Sequence, residues 1–216
     1  MFTGIIEEVG TVRGVEKLSG GVRLRIYCPQ SGPELKINDS VAVNGVCLTV
    51  ITCDTGSFET VAVEETLIKT TTGLLRSNSR VNIELPLRFN DRLGGHLVLG
   101  HVDTVGEVSA IGKREDSWMF TIAIPQQFLH YIIPVGSIAV DGVSLTIARI
   151  VGNTVTISII PHTMDHTIFG SYAVGSKVNI EFDLVGKYIE RIMKHDAESV
   201  SGRKMITEQI LKEHGY

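Results

Sequence analysis

The chain has 216 residues, of which 43% are hydrophobic, with a formal net charge of −4 and a pI near 6.0. This length suits one or two domains with packed cores, and an acidic chain lacks the basic surface that attracts nucleic acids or anionic membranes. No apolar run approaches the roughly 18 residues of a membrane span, and the first ten residues lack the basic start of a signal peptide. Three cysteines (Cys28, Cys47 and Cys53) show neither CxxC nor Cys/His metal spacing. We therefore expect a soluble, cytoplasmic protein without a metal site.

Short β-rich runs separated by turn sequences fill the first half of the chain. The runs are Gly4–Val12, Val22–Cys28, Ser40–Val43, Cys47–Cys53, Ser57–Val63 and Arg80–Leu85. Between them lie SGG (19–21), NG (44–45) and DTG (54–56), and the last two are strong hairpin signals. Six antiparallel strands would leave exposed edges in an open sheet, so a small closed barrel is favoured. A short helix is predicted at Thr66–Thr72, just before the last strand.

The second half of the chain repeats the first. SVAVNGVCLTV (40–50) and SIAVDGVSLTI (137–147) are identical at seven of eleven positions, and GIIEEVGTV (4–12) matches GHVDTVGEV (100–108) at four of nine. Three further pairs match in the same order: 26–30 with 122–126, 65–73 with 162–170, and 79–84 with 176–181. Collinear matches at an offset of 96 to 97 residues indicate a duplicated domain, since solenoid repeats have periods of roughly 20–50 residues. The second short helix is predicted at Thr163–Phe169.

The predicted fold class is all-β with a C-terminal helix, built from two tandem six-stranded antiparallel β-barrels related by internal duplication. A parallel βαβ arrangement is excluded because no amphipathic crossover helix separates the strands. The expected domains are a first barrel at 1–96, a second barrel at 97–186, and a C-terminal helix and tail at 187–216.

The C-terminal segment is amphipathic. Within KYIERIMKHDAESV (187–200), one helical stripe carries the apolar residues Ile189, Ile192, Met193, Ala197 and Val200. Such a stripe needs a partner, which is either the chain's own barrel or another copy of the chain.

Six motifs in order along the chain, MFTGIIEEVG, VNGVCLTV, GGHLVLGHVD, VDGVSLTI, SIIPHT and VNIEFD, resemble those of the riboflavin synthase family. The resemblance implies Greek-key barrels and a homotrimer in which the C-terminal segment at 187–216 is an oligomerisation helix and tail, and it makes lumazine synthase a candidate partner. It also implies a reaction without a cofactor, in which two 6,7-dimethyl-8-ribityllumazine molecules exchange a four-carbon unit. The products are riboflavin and 5-amino-6-ribitylaminouracil. Duplicated barrels would supply two similar pockets, and differences between the copies would supply the two chemical roles.

The resemblance also assigns substrate-binding positions to each copy. In the first copy they are Gly4, Ile5, Ile6, Cys47, Leu48, Thr49, Val61, Ala62, Val63, Glu64, Glu65 and Thr66. In the second copy they are Gly100, His101, Val102, Val135, Ser144, Leu145, Thr146, Ile159, Ile160, Pro161, His162, Thr163 and Met164. Backbone groups at strand ends can bind the nitrogens and oxygens of a pterin, and hydroxyl groups can reach the ribityl chain. The first set is expected to line one pocket and the second set the other.

Five residues are the candidates for catalysis. Cys47 is either a nucleophile or proton-transfer group near C7 of the pterin, or a small buried hydrophobic residue. Ser40 would assist addition at C7, although its counterpart Ser137 indicates that serine also suits the start of this strand. His101 would shuttle protons because imidazole titrates near neutral pH. Phe2 would close the first barrel or its pocket, and the resemblance adds Thr146.

Other positions are less favoured or depart from the family pattern. His96 and His101 lack the spacing and third ligand of a zinc site, and His96 is expected to be structural. Val61 stands where the family commonly has an acidic residue, and Val135 replaces a basic residue found in some relatives. Asp183 is a weak candidate for the second site.

Two other functions are considered. A non-catalytic lumazine- or flavin-binding antenna protein would share this fold, but the pocket motifs persist in both copies, which favours the enzyme. A flavin-dependent oxidoreductase lacks support because no GxGxxG motif follows a predicted strand.

Overall fold

The computed structural model describes the backbone of residues 1–201 and the side chains of residues 1–194. The first barrel consists of β1 (Glu8–Leu18), β2 (Gly21–Tyr27), β3 (Ser40–Val43), β4 (Val46–Cys53), β5 (Ser57–Val63) and β6 (Arg80–Glu84). The strands close in the order β1-β2-β5-β4-β3-β6, and every pair is antiparallel. Strands β3 to β5 form consecutive hairpins and β6 returns beside β3, which is a Greek key.

The second barrel repeats this arrangement. It consists of β7 (Thr104–Lys113), β8 (Trp118–Ala123), β9 (Ser137–Val140), β10 (Val143–Val151), β11 (Thr154–Ile159) and β12 (Lys177–Phe182). Its closed order, β10-β11-β8-β7-β12-β9, is that of the first barrel strand for strand. The prediction of two duplicated six-stranded antiparallel barrels is confirmed.

The described residues also form three α-helices, α1 (Glu64–Lys69), α2 (Pro161–His166) and α3 (Leu184–Ser201), and four short 3-10 helices. The short helices α1 and α2 begin two residues earlier than predicted and each is followed by a separate 3-10 turn. Thr70 causes the first break, because its hydroxyl donates to the Thr66 carbonyl at 2.7 Å and accepts the Thr72 N–H at 3.2 Å. Thr167 ends α2 in the same way.

Each barrel encloses its own apolar core. Along β5, Phe58, Thr60 and Ala62 point inward and are buried, while the residues between them are half-buried on the outer face. This alternation follows from the two-residue period of a strand. The second core is richer in aromatic rings, with Phe120 and Phe169 packed edge to face at 5.2 Å between centroids.

Residues 1–6 do not extend β1, although this strand was predicted to begin at Gly4. They cross to the second half of the chain, where Phe2 and Val98 exchange backbone hydrogen bonds of 2.7 and 3.1 Å. Phe2 and Val98 are equivalent positions of the two copies, so this bridge lies on an approximate two-fold axis that relates the barrels. Phe2 does not close the first barrel; it is fully buried between the two, against Ala42 and Ala139.

The hairpin turns of the two copies also meet on this axis. The side-chain amide of Asn82 donates to the Asp141 carbonyl and that of Asn179 donates to the Asn44 carbonyl, both at 2.9 Å. A Cβ atom on Gly45 would lie 2.5 Å from the amide nitrogen of Gly142, so the turns require glycine for their close approach. The repeated hairpins therefore build the interface between the barrels, which form one compact unit from Met1 to Asp183.

Residues from Leu184 onward form a second unit that begins with α3, three residues before the predicted start at 187. Of the predicted apolar stripe, the side chains of Ala197 and Val200 lie outside the described residues. The predicted domain boundaries at 96 and 186 stay predictions.

One backbone position of the second barrel is strained. Val135 has φ of 61°, a left-handed conformation that β-branched residues strongly disfavour. Its counterpart Asn38 has φ of 76°, and asparagine tolerates this region. Val135 is 78% exposed, so replacing it forfeits little packing. We expect Val135→Asn to raise the free energy of unfolding by about 1 kcal/mol in urea denaturation. The reverse exchange, Asn38→Val, should lower it by a similar amount; unchanged stability in both variants would contradict the strain.

Candidate active site

Two equivalent clusters form where the crossing segments meet the repeated hairpins. The backbone N–H of Ser144 donates to the Gly4 carbonyl at 2.7 Å, and that of Cys47 donates to the Gly100 carbonyl at 2.9 Å. The segment around Gly4 therefore lies on the second barrel, and the segment around Gly100 lies on the first. The predicted grouping of Gly4 with Cys47 and of Gly100 with Ser144 was wrong, because the two segments exchange barrels at the bridge between Phe2 and Val98.

Glycine is required at both crossing points. Gly4 has φ of +75° and Gly100 has φ of +79°, which L side chains rarely adopt. A Cβ atom on Gly4 would lie 2.6 Å from the Cβ of Ser144, and one on Gly100 would lie 2.5 Å from the Cβ of Cys47. The backbone thus passes directly over each of these two side chains.

The neighbours of these glycines follow the same exchange. Ile6 packs against the core of the second barrel, and Val102 packs against the core of the first. Ile5 and His101 occupy equivalent positions, and both are exposed. The first-barrel cluster therefore consists of Cys47 with the segment that carries His101.

The second-barrel cluster contains a serine–histidine pair. The Ser144 hydroxyl oxygen lies 2.7 Å from Nδ1 of His96. His96 is only 9% exposed, and its Nε2 atom is buried without a hydrogen-bond partner among the described residues. Burial lowers the pKa of His96 from its usual value of 6.5, opposed by the Asp183 carboxylate. The imidazole is therefore neutral at neutral pH and can accept a proton.

His96 was expected to be structural, and its contact with Ser144 was not anticipated. It lies in the link between the barrels, outside the repeat segments that match between the two copies. Asp183, a weak candidate in the sequence, acts electrostatically on this histidine.

Hydroxyl groups continue each cluster along the outer face of its barrel. Ser40 pairs with Thr49 across β3 and β4, and Ser137 pairs with Thr146 across β9 and β10. Residues directly opposite each other in antiparallel strands share a face. Both threonines are exposed and both serines are half-buried, so each barrel presents a polar strip beside Cys47 or Ser144.

The structure divides the remaining predicted binding residues by side-chain direction. Leu48, Ala62 and Ile159 are buried in the barrel cores and can offer a ligand only backbone groups. Leu145 and Met164 are half-buried against the second core. The others are half-buried or exposed: Val61, Val63, Glu64, Glu65, Thr66, Val135, Ile160, Pro161, His162 and Thr163. Glu65 forms an ion pair with Lys69 at 2.6 Å.

A cavity of about 430 Å³ lies beside the first crossing segment, where Thr3, Ile5, Glu84 and Arg88 are among its lining residues. Neither Cys47 nor Ser144 is among the residues that line it. Among the described residues, no group of three His, Cys, Asp or Glu side chains is arranged to hold a metal ion.

Comparisons with known proteins match both halves of the chain. The family model of the lumazine binding domain matches residues 3–86 and again residues 99–183. Riboflavin synthase from Bacillus subtilis (strain 168) is 40% identical over 216 residues, which is 100% of both chains. Riboflavin synthase from Mycobacterium tuberculosis (strain ATCC 25618 / H37Rv) is 43% identical over 198 residues, covering 90% of this chain and 98% of that one.

Solved structures are similar over both barrels. The crystal structure of LumP complexed with riboflavin has a TM-score of 0.79 and 27% identity, and covers 84% of this chain and 99% of that chain. The complex of LumP with 6,7-dimethyl-8-(1'-D-ribityl) lumazine has a TM-score of 0.76 and 26% identity over the same shares. With two lumazine-binding repeats and about 40% identity along its whole length, the chain belongs to the riboflavin synthase family.

Proposed function

We propose that the chain is a transferase that converts two molecules of 6,7-dimethyl-8-ribityllumazine into riboflavin and 5-amino-6-ribitylaminouracil. The observation that carries this proposal is the pair of equivalent but chemically different clusters, Cys47 in one barrel and Ser144 with His96 in the other. A reaction between two identical molecules needs a donor and an acceptor that are treated differently. A duplicated fold with divergent reactive groups meets that need.

The residues of each cluster suit distinct tasks. Neutral His96 can take a proton through the Ser144 hydroxyl and return it later, which is general acid–base catalysis. On the first barrel, Cys47 offers a thiol for addition or proton transfer at C7 of the lumazine bound there. Ser40 and Thr49 offer hydroxyl groups beside this thiol. Exposed Thr146 would bind the ribityl chain on the second barrel. Transfer between two like molecules is redox-balanced, so no cofactor is expected.

A non-catalytic binding protein is not favoured as the alternative. The curated relatives at about 40% identity over the full chain are named riboflavin synthase. Identity to LumP is 26–27% and covers 84% of this chain. Both reactive clusters also persist here, whereas a carrier of one ligand would need only one.

The test is to incubate the purified chain with 6,7-dimethyl-8-ribityllumazine and to follow the absorbance of riboflavin. One riboflavin should form for every two lumazines consumed, with or without a metal chelator. Ligand that stays bound and unchanged would reject the enzymatic proposal, and activity that is lost with chelator and restored by zinc would reject its metal-free form.

We also propose that the working form is a homotrimer in which the first barrel of one chain faces the second barrel of its neighbour. Support comes from α3, where Val185, Tyr188, Ile189, Ile192 and Met193 are all more than half exposed. Apolar side chains on one amphipathic helix favour association with other copies. An association with lumazine synthase and a cytoplasmic location stay predictions from the sequence. Within the described part of the chain, no helix is long and apolar enough to span a membrane.

Truncation after Asp183 should separate assembly from folding. Because Met1–Asp183 is a compact unit, we expect its barrels to fold and bind ligand. Without α3 the chain should be monomeric and at least about tenfold less active, equivalent to ~1.4 kcal/mol in the barrier, since two bound substrates are no longer held together. Sedimentation and turnover are measured on the same preparation. Ile192→Asp in the full-length chain is the matched variant, and it should also be monomeric and at least about tenfold less active. A fully active monomer would exclude a site shared between chains.

A further inference from the structure

A buried glutamate stands at the same place in the last strand of each barrel. Glu84 in β6 is 3% exposed and Glu181 in β12 is 4% exposed. Burying a carboxylate is costly unless hydrogen bonds compensate for the lost water. The partners of these two carboxylates therefore show what the burial achieves.

Glu84 binds the first crossing segment. Its Oε1 atom accepts the Thr3 N–H at 2.6 Å, the Thr3 hydroxyl at 2.8 Å and the Gly4 N–H at 3.1 Å, and Oε2 also lies 3.1 Å from the Gly4 nitrogen. Burial raises the pKa of Glu84, and the hydrogen bonds from Thr3 and Gly4 oppose that rise.

Glu181 binds the second crossing segment in a more divided way. Its Oε1 atom accepts the Leu99 N–H at 2.7 Å, and its Oε2 atom accepts the Gly100 N–H at 3.0 Å. Each oxygen therefore serves a different residue, whereas in Glu84 one oxygen serves most of the contacts.

Each carboxylate is thus two hydrogen bonds away from a reactive hairpin of the opposite barrel. Glu84 belongs to the first barrel and fixes Gly4, whose carbonyl accepts the N–H of Ser144 in the second barrel. Glu181 belongs to the second barrel and fixes Gly100, whose carbonyl accepts the N–H of Cys47 in the first. Nothing in the reaction proposed above requires either glutamate to touch a substrate.

We propose that Glu84 and Glu181 are positioning residues, each holding the backbone segment that covers the reactive residue of the opposite barrel. Each barrel thereby sets the geometry of the other barrel's site. This inference rests on the proposed function only in that the Cys47 and Ser144 clusters bind substrate. A site built on loosely held backbone loses catalytic geometry, since displacements of about 1 Å cost rate.

The test uses Glu84→Gln and Glu181→Gln in the full-length chain. Glutamine keeps the shape of the side chain but replaces one carboxylate oxygen with an amide NH2 group, whose nitrogen cannot accept a hydrogen bond. Glu181→Gln should have the larger effect because each oxygen of Glu181 holds a different residue. We expect kcat to fall about tenfold in Glu181→Gln and less in Glu84→Gln, with KM and the melting temperature little changed. Glu107→Gln, which removes an exposed strand carboxylate paired with Lys177, is the matched control and should leave kcat unchanged.

Hydrogen exchange separates positioning from general destabilisation. In Glu181→Gln the Cys47 amide should exchange faster while the Ser144 amide does not, and Glu84→Gln should give the opposite pattern. Should either variant fold poorly, Thr3→Leu keeps the Glu84 carboxylate and removes the Thr3 hydroxyl, which donates to Glu84 and accepts the Ile5 N–H; leucine already occupies the equivalent position at Leu99. It should speed exchange at Ser144 alone.

The inference fails if both amides exchange faster together, if neither does, or if local exchange changes while kcat stays at the wild-type value. Should the wild-type chain itself make no riboflavin, the proposed enzyme fails. Amide exchange at Cys47 and Ser144 then replaces kcat as the readout, and unchanged exchange at both amides in both variants overturns the inference on its own.

Discussion

His96→Gln is expected to lower kcat for riboflavin formation by about 100-fold while leaving lumazine affinity and the melting temperature close to wild type. Positioned general acid–base groups typically contribute roughly 10²- to 10⁴-fold in rate. His96 is placed for that role because its Nδ1 atom lies 2.7 Å from the Ser144 hydroxyl and burial keeps the ring neutral. Glutamine can still accept a hydrogen bond from Ser144 but cannot take its proton. Stopped-flow or steady-state turnover with 6,7-dimethyl-8-ribityllumazine measures the loss.

The pH dependence of kcat gives this prediction a second readout. Because burial lowers the pKa of His96 below 6.5, the imidazole is neutral above that pH and becomes charged only in more acidic solution. Wild-type kcat should therefore fall on the acid side of pH 6.5, and this limb should disappear in His96→Gln. Ser144→Ala is the matched variant, expected to lose a similar factor because it removes the other half of the pair. Wild-type kcat in His96→Gln would remove the histidine from the mechanism.

The barrels could be predicted from sequence because their evidence is local. Alternation of apolar residues and NG or DTG turns set β3 and β5 at their observed bounds, Ser40–Val43 and Ser57–Val63. Internal repetition then carried the same strands into the second half of the chain. The family motifs placed Cys47 and Ser144 on equivalent hairpins, where the structure has them.

The exchange of the crossing segments could not be predicted in this way. Gly4 and Gly100 lie in nearly equivalent sequences, so either segment would satisfy either hairpin, and only the three-dimensional link through Phe2 and Val98 decides between them. The contact of His96 with Ser144 was missed for a related reason, since His96 lies outside the matched repeat segments and meets Ser144 only in the folded chain. The difference between Asn44 and Asp141 was visible in the sequence, but its meaning depends on a partner 31 residues away.

That partner is Tyr172, whose hydroxyl donates to one carboxyl oxygen of Asp141. The other oxygen accepts the Asn179 N–H at 2.9 Å. Asp141 is only 2% exposed, and burial raises its pKa to about 7, opposed by these two hydrogen bonds. In the first copy the equivalent residues are Asn44 and Leu75, so a neutral amide fills the same turn beside an apolar side chain.

This raised pKa fixes the sign of a stability effect. The unfolded chain releases the Asp141 proton near pH 3.8, whereas the folded chain holds it to about pH 7. Between these values the folded state binds more protons than the unfolded state. The contribution of Asp141 to the free energy of unfolding is therefore full below pH 3.8 and is lost as the pH rises through 7. A difference of about three pKa units corresponds to roughly 4 kcal/mol as an upper bound.

Asp141→Asn should remove this loss of stability, because a side-chain amide does not titrate between pH 4 and pH 8. Asn44 shows that asparagine fits the turn: its Oδ1 atom accepts the Asn82 N–H at 2.7 Å, as Asp141 accepts that of Asn179. We expect the variant to match wild type in urea denaturation at pH 4 and to exceed it at pH 8 by up to about 4 kcal/mol. Asn44→Asp is the matched control; it puts a carboxyl group in the first copy, where Leu75 offers no hydroxyl, and should therefore lose stability from pH 4 to pH 8. A gain in Asp141→Asn that is equal at both pH values would show that packing rather than the buried charge is responsible.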